Sequence, residues 1–259
     1  MSNAGPTPDL LGRTALVTGA GAGMGAATAM LFAESGASVV VADVNEAAGH
    51  ATVDSIRSAG GEAHYVPGDV SSEADVRDLV AATVNRYGRL DCAVNNAALP
   101  PDSAMIADLD IAVFDRVVAV DLRGVALCLK YEIRQFLAQG GPGAVVNIGS
   151  ISSVRARPTN AAYVAAKHGV VGLTKVAAIE YGREFIRVNA VLPGGIDTPM
   201  IRAAREASGA TPADEFSLSL FGRLGSPREV AEATLWLCSD RSSYVTGHCL
   251  AVDAGYLAR

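Results

Sequence analysis

Tyr163 and Lys167 lie four residues apart in the otherwise apolar stretch NAAYVAAKHG, residues 160–169. On a helix, residues four apart are neighbours on one face, so a phenol and an ammonium would meet there. A free tyrosine ionises only near pH ~10, which is too high for a good base near neutrality. A positive charge beside a phenol favours the phenolate. The pair therefore indicates a phenol prepared for proton transfer, and the plainer alternatives are a core tyrosine and a lysine that covers apolar surface.

Ser150 ends the run GAVVNIGS and precedes Tyr163 by 13 residues. A hydroxyl at this place can donate a hydrogen bond to the oxygen of a substrate, whereas the simpler interpretation is a turn or a helix cap. A hydroxyl, a phenol and an ammonium together can take the proton of an alcohol. The candidate catalytic residues are Ser150, Tyr163 and Lys167.

A glycine-rich turn, TGAGAGMG at residues 18–25, lies between an apolar run and a predicted helix. Glycine permits a tight turn and a close approach of the backbone to a pyrophosphate, and the N–H groups of the following helix bind the anion. Such a turn alone is weak support, because it can simply connect a strand to a helix. Its place after the first predicted strand favours dinucleotide binding by Gly19, Gly21, Ala22, Gly23, Met24 and Gly25.

Asp43 ends the second predicted strand, 18 residues after Gly25. An acid there can accept hydrogen bonds from the ribose hydroxyl groups of an adenosine, and it repels a 2′-phosphate. The glycine-rich turn and the residues just after Asp43 contain no arginine or lysine to offset that charge. The sequence therefore favours NAD over NADP, and an aspartate that only caps the next helix is the weaker interpretation.

The elements that must position these residues follow an alternating pattern. Long amphipathic stretches separate short apolar runs, and the long ones include helices predicted over residues 111–139 and from Ala161 to Gly182. Strands that are apolar throughout are typical of a sheet buried on both faces, and strict alternation predicts parallel strands with right-handed crossovers. The prediction is one α/β domain over residues 1–259 with strands TALVTG, SVVVAD, AHYVPGDV, LDCAVNN, GAVVNIGS, FIRVNAVLPG and HCLAVDAG.

The composition excludes several classes of function. The chain has 259 residues, 50% hydrophobic and 19% charged, with a net charge of −6. That charge argues against nucleic acid and anionic membranes as partners. The first residues, MSNAGPTPDL, have neither a basic start nor an apolar core, so we expect no signal peptide, and no apolar run approaches a membrane span. We expect a cytoplasmic protein without a metal site and with reduced thiols at Cys92, Cys128, Cys238 and Cys249.

Several motifs in order resemble those of the short-chain dehydrogenase/reductase family, in its single-domain branch. They are the glycine-rich turn, Asp69–Val70, the run NNAA at residues 95–98, Ser150 and the Tyr163–Lys167 pair. The match covers nearly the whole chain. The resemblance implies a Rossmann-type doubly wound sheet of seven parallel strands in the order 3-2-1-4-5-6-7, with helices on both faces. It also implies the oxidation of alcohols or the reduction of ketones.

The resemblance assigns further residues to the cofactor. Asp69 and Val70 would flank the adenine, and Asn96 would support the central strand and the cofactor. The run PGGIDT would contact the nicotinamide, with Ile196 and Thr198 at its carboxamide. Outside the glycine-rich turn, the cofactor-binding set is Asp43, Asp69, Val70, Asn96, Tyr163, Lys167, Pro193, Gly194, Ile196 and Thr198.

Two positions depart from the family's pattern. Ala98 stands where the family usually has glycine, so it adds a methyl group near the nicotinamide. Asp121, in AVDLRG, stands where the family usually has an asparagine whose main-chain carbonyl holds a water of a proton relay. An aspartate keeps the carbonyl and adds a charge near Lys167. The part that residue 121 plays in the relay therefore stays open.

The sequence predicts an NAD-dependent enzyme that transfers hydride between a secondary alcohol and its ketone, with Tyr163 as general acid/base. One alternative is a ketoacyl-type or carbonyl reductase that works in the reductive direction. The other is a non-catalytic dinucleotide-binding protein, which the retention of all three chemistry residues argues against. Residues 198–225 interrupt the alternating pattern and predict a substrate lid. The helix after Ala161 is apolar on more than one face, and the family implies a homotetramer.

Overall fold

A single parallel sheet of seven strands organises the protein. The computed structural model describes residues 9–208 and 219–259. Its strand order is β3-β2-β1-β4-β5-β6-β7, which confirms the predicted sheet and its topology. The strands are β1 Thr14–Thr18, β2 Ser38–Asp43, β3 Glu62–Pro67, β4 Cys92–Asn95, β5 Gly143–Ile148, β6 Ile186–Pro193 and β7 Cys249–Val252.

Helices cover both faces of the sheet, as a doubly wound fold requires. Successive side chains of a strand point to opposite faces. Val17 therefore packs with helix side chains such as Phe32 on one face, and its neighbour Leu16 packs with Phe136 on the other. The described helices are α1 Gly23–Glu34, α2 Glu46–Ser58, α3 Glu73–Tyr87, α4 Ile111–Val118, α5 Val125–Ala138, α6 Ala161–Tyr181, α7 Pro199–Ser208 and α8 Pro227–Cys238.

The long helix predicted over residues 111–139 is confirmed in extent, but it is not regular. A π-helical turn, Ala119–Gly124, joins α4 to α5 without a break in the chain direction. Gly124 lies so close to Val70 that a Cβ there would stand 2.9 Å from a Val70 methyl carbon. Single π turns inside α-helices occur frequently at functional sites. This one carries Asp121, the departure noted above.

Backbone hydrogen bonds join the two ends of the segment 198–225. The Asp197 N–H donates to the Gly225 carbonyl at 2.8 Å, and the Gly225 N–H donates to the Gly195 carbonyl at 2.9 Å. The segment contains α7, while residues 209–218, which are part of the predicted lid, lie outside the described residues. Across residues 9–208 and 219–259, no helix combines the length and the apolar character needed to cross a membrane.

All four cysteines carry free thiols. Cys92, Cys128 and Cys238 are buried, and Cys249 is half-buried on β7. Burial raises the pKa of the Cys128 and Cys238 thiols well above the ordinary value, so both stay protonated. This agrees with the reduced thiols predicted from the sequence.

Candidate active site

A cleft of about 440 Å³ opens at the carboxyl edge of the sheet, where the chain leaves β1 and β4. In open α/β sheets, ligands bind where the strand order reverses, and this cleft lies at that place. Its volume is in the range of ~300–1,000 Å³ that is usual for cofactor and small-molecule sites. Eleven of the predicted site residues line it: Gly19, Ala22, Gly23, Met24, Asp43, Asp69, Val70, Asn96, Tyr163, Lys167 and Thr198.

The glycine-rich turn is shaped by close backbone contacts. A Cβ on Gly19 would stand 2.7 Å from the Ala97 Cα, and a Cβ on Gly25 would stand 2.2 Å from the Gly19 carbonyl oxygen. Gly21 and Gly25 do not line the cleft, so they serve the turn itself. Helix α1 begins after Ala22, whose side chain has no acceptor, and its first-turn N–H groups are left for an anion. The turn therefore fits a pyrophosphate.

Asp43 is held at the edge of the cleft by two backbone N–H groups. Its Oδ2 accepts a hydrogen bond from the Gly21 N–H at 2.8 Å, and its Oδ1 accepts one from the Asn45 N–H at 2.8 Å. Each carboxylate oxygen keeps a second lone pair that ribose hydroxyl groups could use. The fold also brings Arg116 to the lining of this cleft, from a helix far along the chain. The local sequence around Asp43 could not show that Arg116 also lines the cleft.

Asn96 joins the loop after β4 to the glycine-rich turn. Its Nδ2 donates to the carbonyl oxygens of Thr18 and Gly19, both at 3.0 Å. The Thr18 hydroxyl in turn accepts from the Asn96 N–H at 3.1 Å. This is the support of the central strand that the family resemblance implied, and contact of Asn96 with a cofactor stays a prediction.

Tyr163 and Lys167 face each other on the first two turns of α6. The Lys167 Nζ lies 5.5 Å from the centre of the Tyr163 ring, and it donates a hydrogen bond to the Ile148 carbonyl at 3.1 Å. Tyr163 is half-buried and lines the cleft, whereas Lys167 is only 2% exposed. The predicted pair is therefore assembled, with the phenol on the cleft side and the ammonium behind it.

Asp121 adds a buried carboxyl group behind the same lysine. Its Oδ2 lies 3.4 Å from the Lys167 Nζ, and its Oδ1 accepts a hydrogen bond from the Leu99 N–H at 2.8 Å. No described residue donates a hydrogen bond to Oδ2. Burial raises the pKa of Asp121, and the positive charge of Lys167 opposes that rise. The side chain of Asp121 therefore faces Lys167 and is hydrogen-bonded to the loop that carries Leu99.

Ser150 caps a short turn, which was the alternative to a catalytic role. Its Oγ accepts from the Ser152 N–H at 3.0 Å, and its own N–H donates to the Ser153 Oγ at 3.1 Å. The preceding residue, Gly149, lines the cleft, and Ser150 itself does not. Capping uses only a lone pair, so the hydroxyl proton remains for donation to a substrate. The two roles are compatible, and the catalytic one stays a prediction.

The residues of the PGGIDT run hold the base of segment 198–225. The Gly194 N–H donates to the Val252 carbonyl at 2.9 Å, and the Ile196 side chain is buried in the core. Pro193 ends β6, and neither it nor Gly194 or Ile196 lines the cleft. Thr198 does line it. Their predicted contacts with the nicotinamide remain predictions.

Sequence reasoning missed several residues of this region, among them Leu99, Arg116 and Asp102. Leu99 and Arg116 line the cleft, and the carboxylate of Asp102 accepts hydrogen bonds from the start of α6. The hydrogen-bond partners of Leu99 and Asp102 lie 22 and about 60 residues away in the chain, so no local motif marks these two residues. The one signal available was an acid directly after two prolines, in the run LPPD.

Comparisons with known proteins show the family of this chain. A family model described as enoyl-(acyl carrier protein) reductase matches residues 19–257. The short chain dehydrogenase/reductase astE of Aspergillus oryzae is 46% identical over 95% of both chains. The 2,5-dichloro-2,5-cyclohexadiene-1,4-diol dehydrogenase of Sphingobium indicum is 43% identical, over 96% of this chain and 99% of its own.

Solved structures share the whole fold. Levodione reductase superposes with a TM-score of 0.92 at 36% identity, over 96% of this chain and 99% of its own. A candidate 2-deoxy-D-gluconate 3-dehydrogenase from Agrobacterium tumefaciens, with bound NADP, gives a TM-score of 0.89 at 34% identity, over 98% and 100%. The chain belongs to the short-chain dehydrogenase/reductase family of oxidoreductases, which bind a nicotinamide dinucleotide.

Proposed function

We propose that this protein uses NAD to interconvert a secondary alcohol and its ketone, with Tyr163 as the general acid/base. The observation that carries the proposal is the position of Tyr163, at the cleft surface with the Lys167 Nζ 5.5 Å from its ring centre. A bound nicotinamide supplies the acceptor for the hydride of the alcohol carbon. The protein's own task is then to hold the alcohol and take up its proton.

Three side chains divide this task. The Ser150 hydroxyl donates a hydrogen bond to the alcohol oxygen and orients it. Tyr163 takes the hydroxyl proton as the C–O bond becomes a carbonyl, and the buried Lys167 stabilises the phenolate by its charge. In the reductive direction, the same tyrosine returns the proton to the alkoxide oxygen. A bystander tyrosine would need neither a position in the lining of the cleft nor a buried cation beside it.

The proposal of NAD in preference to NADP rests on Asp43. Its carboxylate, held by the N–H groups of Gly21 and Asn45, suits two ribose hydroxyl groups and repels a phosphate. The N–H groups at the start of α1 would hold the pyrophosphate, with Asp69, Val70 and Asn96 along the cleft beside them. Arg116 also lines the cleft, and a similar structure contains NADP, so cofactor choice is a direct target for measurement.

The reacting end of the cleft suits a compact apolar substrate. Ala98, Leu99 and Met200 line it together with Tyr163. The Sphingobium relative is named for a cyclohexadiene diol. We therefore propose a cyclic secondary alcohol as the substrate class, admitted below the proposed lid over residues 198–225. Levodione reductase is named for a reduction, so a carbonyl reductase remains the second candidate.

Assembly as a homotetramer is also proposed. Helix α6 exposes Val176 and Ile179, which are 52% and 82% accessible, although the helix is packed on its other side. Apolar side chains in such a row are expected at a subunit interface. Sedimentation equilibrium checks this: a tetramer supports the proposal, and a monomer at micromolar concentration contradicts it.

The experiment that tests the function is a panel of alcohols assayed for reduction of NAD and of NADP. The panel includes cyclic alcohols, diols, steroids and hydroxy acids, and the matching ketones are assayed with NADH. We expect at least one cyclic secondary alcohol to reduce NAD faster than NADP. Tight NAD binding by calorimetry with no turnover of any alcohol or ketone would instead support a non-catalytic dinucleotide-binding protein.

A further inference from the structure

Asp102 is a buried acid in the loop between β4 and α4. It is 7% exposed, and it follows Pro100 and Pro101 directly. Two prolines restrict the backbone, so the loop presents this side chain with little freedom. Asp102 does not line the cleft, so its burial is not explained by contact with a substrate or cofactor. Its partners lie on another element.

Those partners are the first backbone N–H groups of α6. The Asp102 Oδ2 accepts from the Ala162 N–H at 3.2 Å, and its Oδ1 accepts from the Tyr163 N–H at 3.1 Å. The Asn160 side chain, at the N-cap of the helix, donates to the main-chain carbonyl of Asp102. The loop and the helix start are therefore joined by three hydrogen bonds across about 60 residues of sequence.

This contact replaces the usual helix cap. The first N–H groups of a helix have no partner within it and are normally satisfied by a local side chain. Here Asn160 is turned toward Asp102, and the distant carboxylate takes the place of the cap. A negative charge is also favourable at this end of a helix dipole. Tyr163 is the third residue of α6, so its position depends directly on this first turn.

Lys167 is held independently of Asp102. It lies one turn further into α6, and its Nζ is bound by the Ile148 carbonyl and faces Asp121. Fraying of the first turn would move Tyr163 and leave Lys167 in place. The two members of the pair can therefore be separated by experiment.

We propose that Asp102 is a positioning residue that fixes the phenol of Tyr163 at the cleft by capping α6 from the loop after β4. The effect on turnover rests on the proposed role of Tyr163. The effect on the helix start does not, because it follows from the hydrogen bonds alone.

The test compares Asp102→Ala, Asp102→Asn and Asp110→Ala in the full-length protein. Asp102→Ala removes both acceptors, and we expect kcat to fall by about 10- to 100-fold while the Kd for NAD changes little, because small displacements of a reacting group are costly. Asp102→Asn keeps one acceptor, so its kcat should fall clearly less than that of Asp102→Ala. Asp110 accepts from the first turn of α4 and is the charge-matched control, which should lower Tm and leave kcat unchanged.

Hydrogen exchange separates the helix contact from the chemistry. A peptide that includes residues 161–165 should exchange faster in Asp102→Ala than in the wild type, and the rest of α6 should not.

Unchanged kcat together with unchanged exchange would overturn the proposal. A lower Tm with normal kcat in Asp102→Ala would mean that Asp102 only stabilises the helix, and it would overturn the positioning role. If Asp102→Ala does not fold, a kcat for Asp102→Asn equal to that of the wild type would also overturn it. A wild type without turnover, but with the expected exchange difference, would overturn the proposed function and keep the helix contact.

Discussion

The two ends of the cleft are built in different ways. At the dinucleotide end, backbone geometry does most of the positioning: the glycine-rich turn packs against Ala97, and the N–H groups of Gly21 and Asn45 hold the half-buried Asp43. At the reacting end, positioning depends on buried ionisable side chains, with Asp121 and Lys167 0% and 2% exposed. Burying such groups is costly unless they are paired. Substitutions at the first end should therefore change binding, and substitutions at the second should change rates, stability and pH dependence.

Tyr163→Phe should give the largest effect on the reacting end. Loss of the phenol oxygen removes the proposed acid/base, so kcat should fall by about 100-fold or more. The Kd for NAD, measured by calorimetry, should stay near the wild-type value because the dinucleotide end is untouched. Near-normal turnover on a verified substrate would assign the proton transfer to another group.

Asp43→Ala should give the largest effect on the dinucleotide end. The lost hydrogen bonds to ribose hydroxyl groups should weaken NAD binding by roughly 10- to 100-fold, and the loss of charge repulsion should narrow the preference over NADP. Calorimetric titration with both dinucleotides measures this. Equal affinity of the wild type for NAD and NADP would refute the assignment of Asp43 and point to Arg116, which shares the cleft.

Glu132→Gln tests a buried carboxyl group on α5. Glu132 on α5 is fully buried, and its Oε2 accepts from the Asn95 Nδ2 at 3.1 Å, next to Asn96. Burial raises its pKa to about 8, well above the ordinary ~4.3. Between these values the folded state keeps a proton that the unfolded state releases, so the free energy of unfolding falls as pH rises. Glutamine cannot ionise and should abolish this contribution.

Urea unfolding at pH 5 and pH 8 measures the effect. Relative to the wild type, Glu132→Gln should be more stable at pH 8 than at pH 5, by up to a few kcal/mol. Glu184→Gln, at an exposed position, is the control and should show no such difference. An equal change in stability at both pH values would mean that Glu132 ionises normally in the folded protein.

Asp121→Asn should have the smallest effect. It restores the usual family residue, is nearly isosteric, and leaves an oxygen for the Leu99 N–H. Removal of a negative charge that lies 3.4 Å from Lys167 strengthens the positive field at the phenol. The rising alkaline limb of the oxidation rate should therefore move to lower pH, by about one unit, with turnover preserved. An unchanged pH profile would show that the charge of Asp121 does not influence the phenol. A collapse of turnover would place the carboxyl group in the proton relay.

The same contrast explains how far the sequence could be interpreted. The glycine-rich turn, Asp43 and the Tyr163–Lys167 pair were predictable because each is local: a turn after a strand, the end of a strand, one turn of a helix. The sequence could not predict that Asp121 faces Lys167, because this orientation depends on the π turn that interrupts the helix. Asp102 and its hydrogen bond to Tyr163 were out of reach, because contact across 61 residues follows from the tertiary fold alone.

The most direct test of the division between the two ends measures the Kd for NAD and the kcat at saturating NAD for the wild type, Asp43→Ala and Tyr163→Phe, in one buffer. We predict that Asp43→Ala weakens NAD binding by about tenfold or more with kcat within about threefold of the wild type. Tyr163→Phe should do the reverse, with kcat down by about 100-fold and Kd within about threefold. If both variants change the same constant, the cleft does not separate binding from chemistry, and the account is wrong.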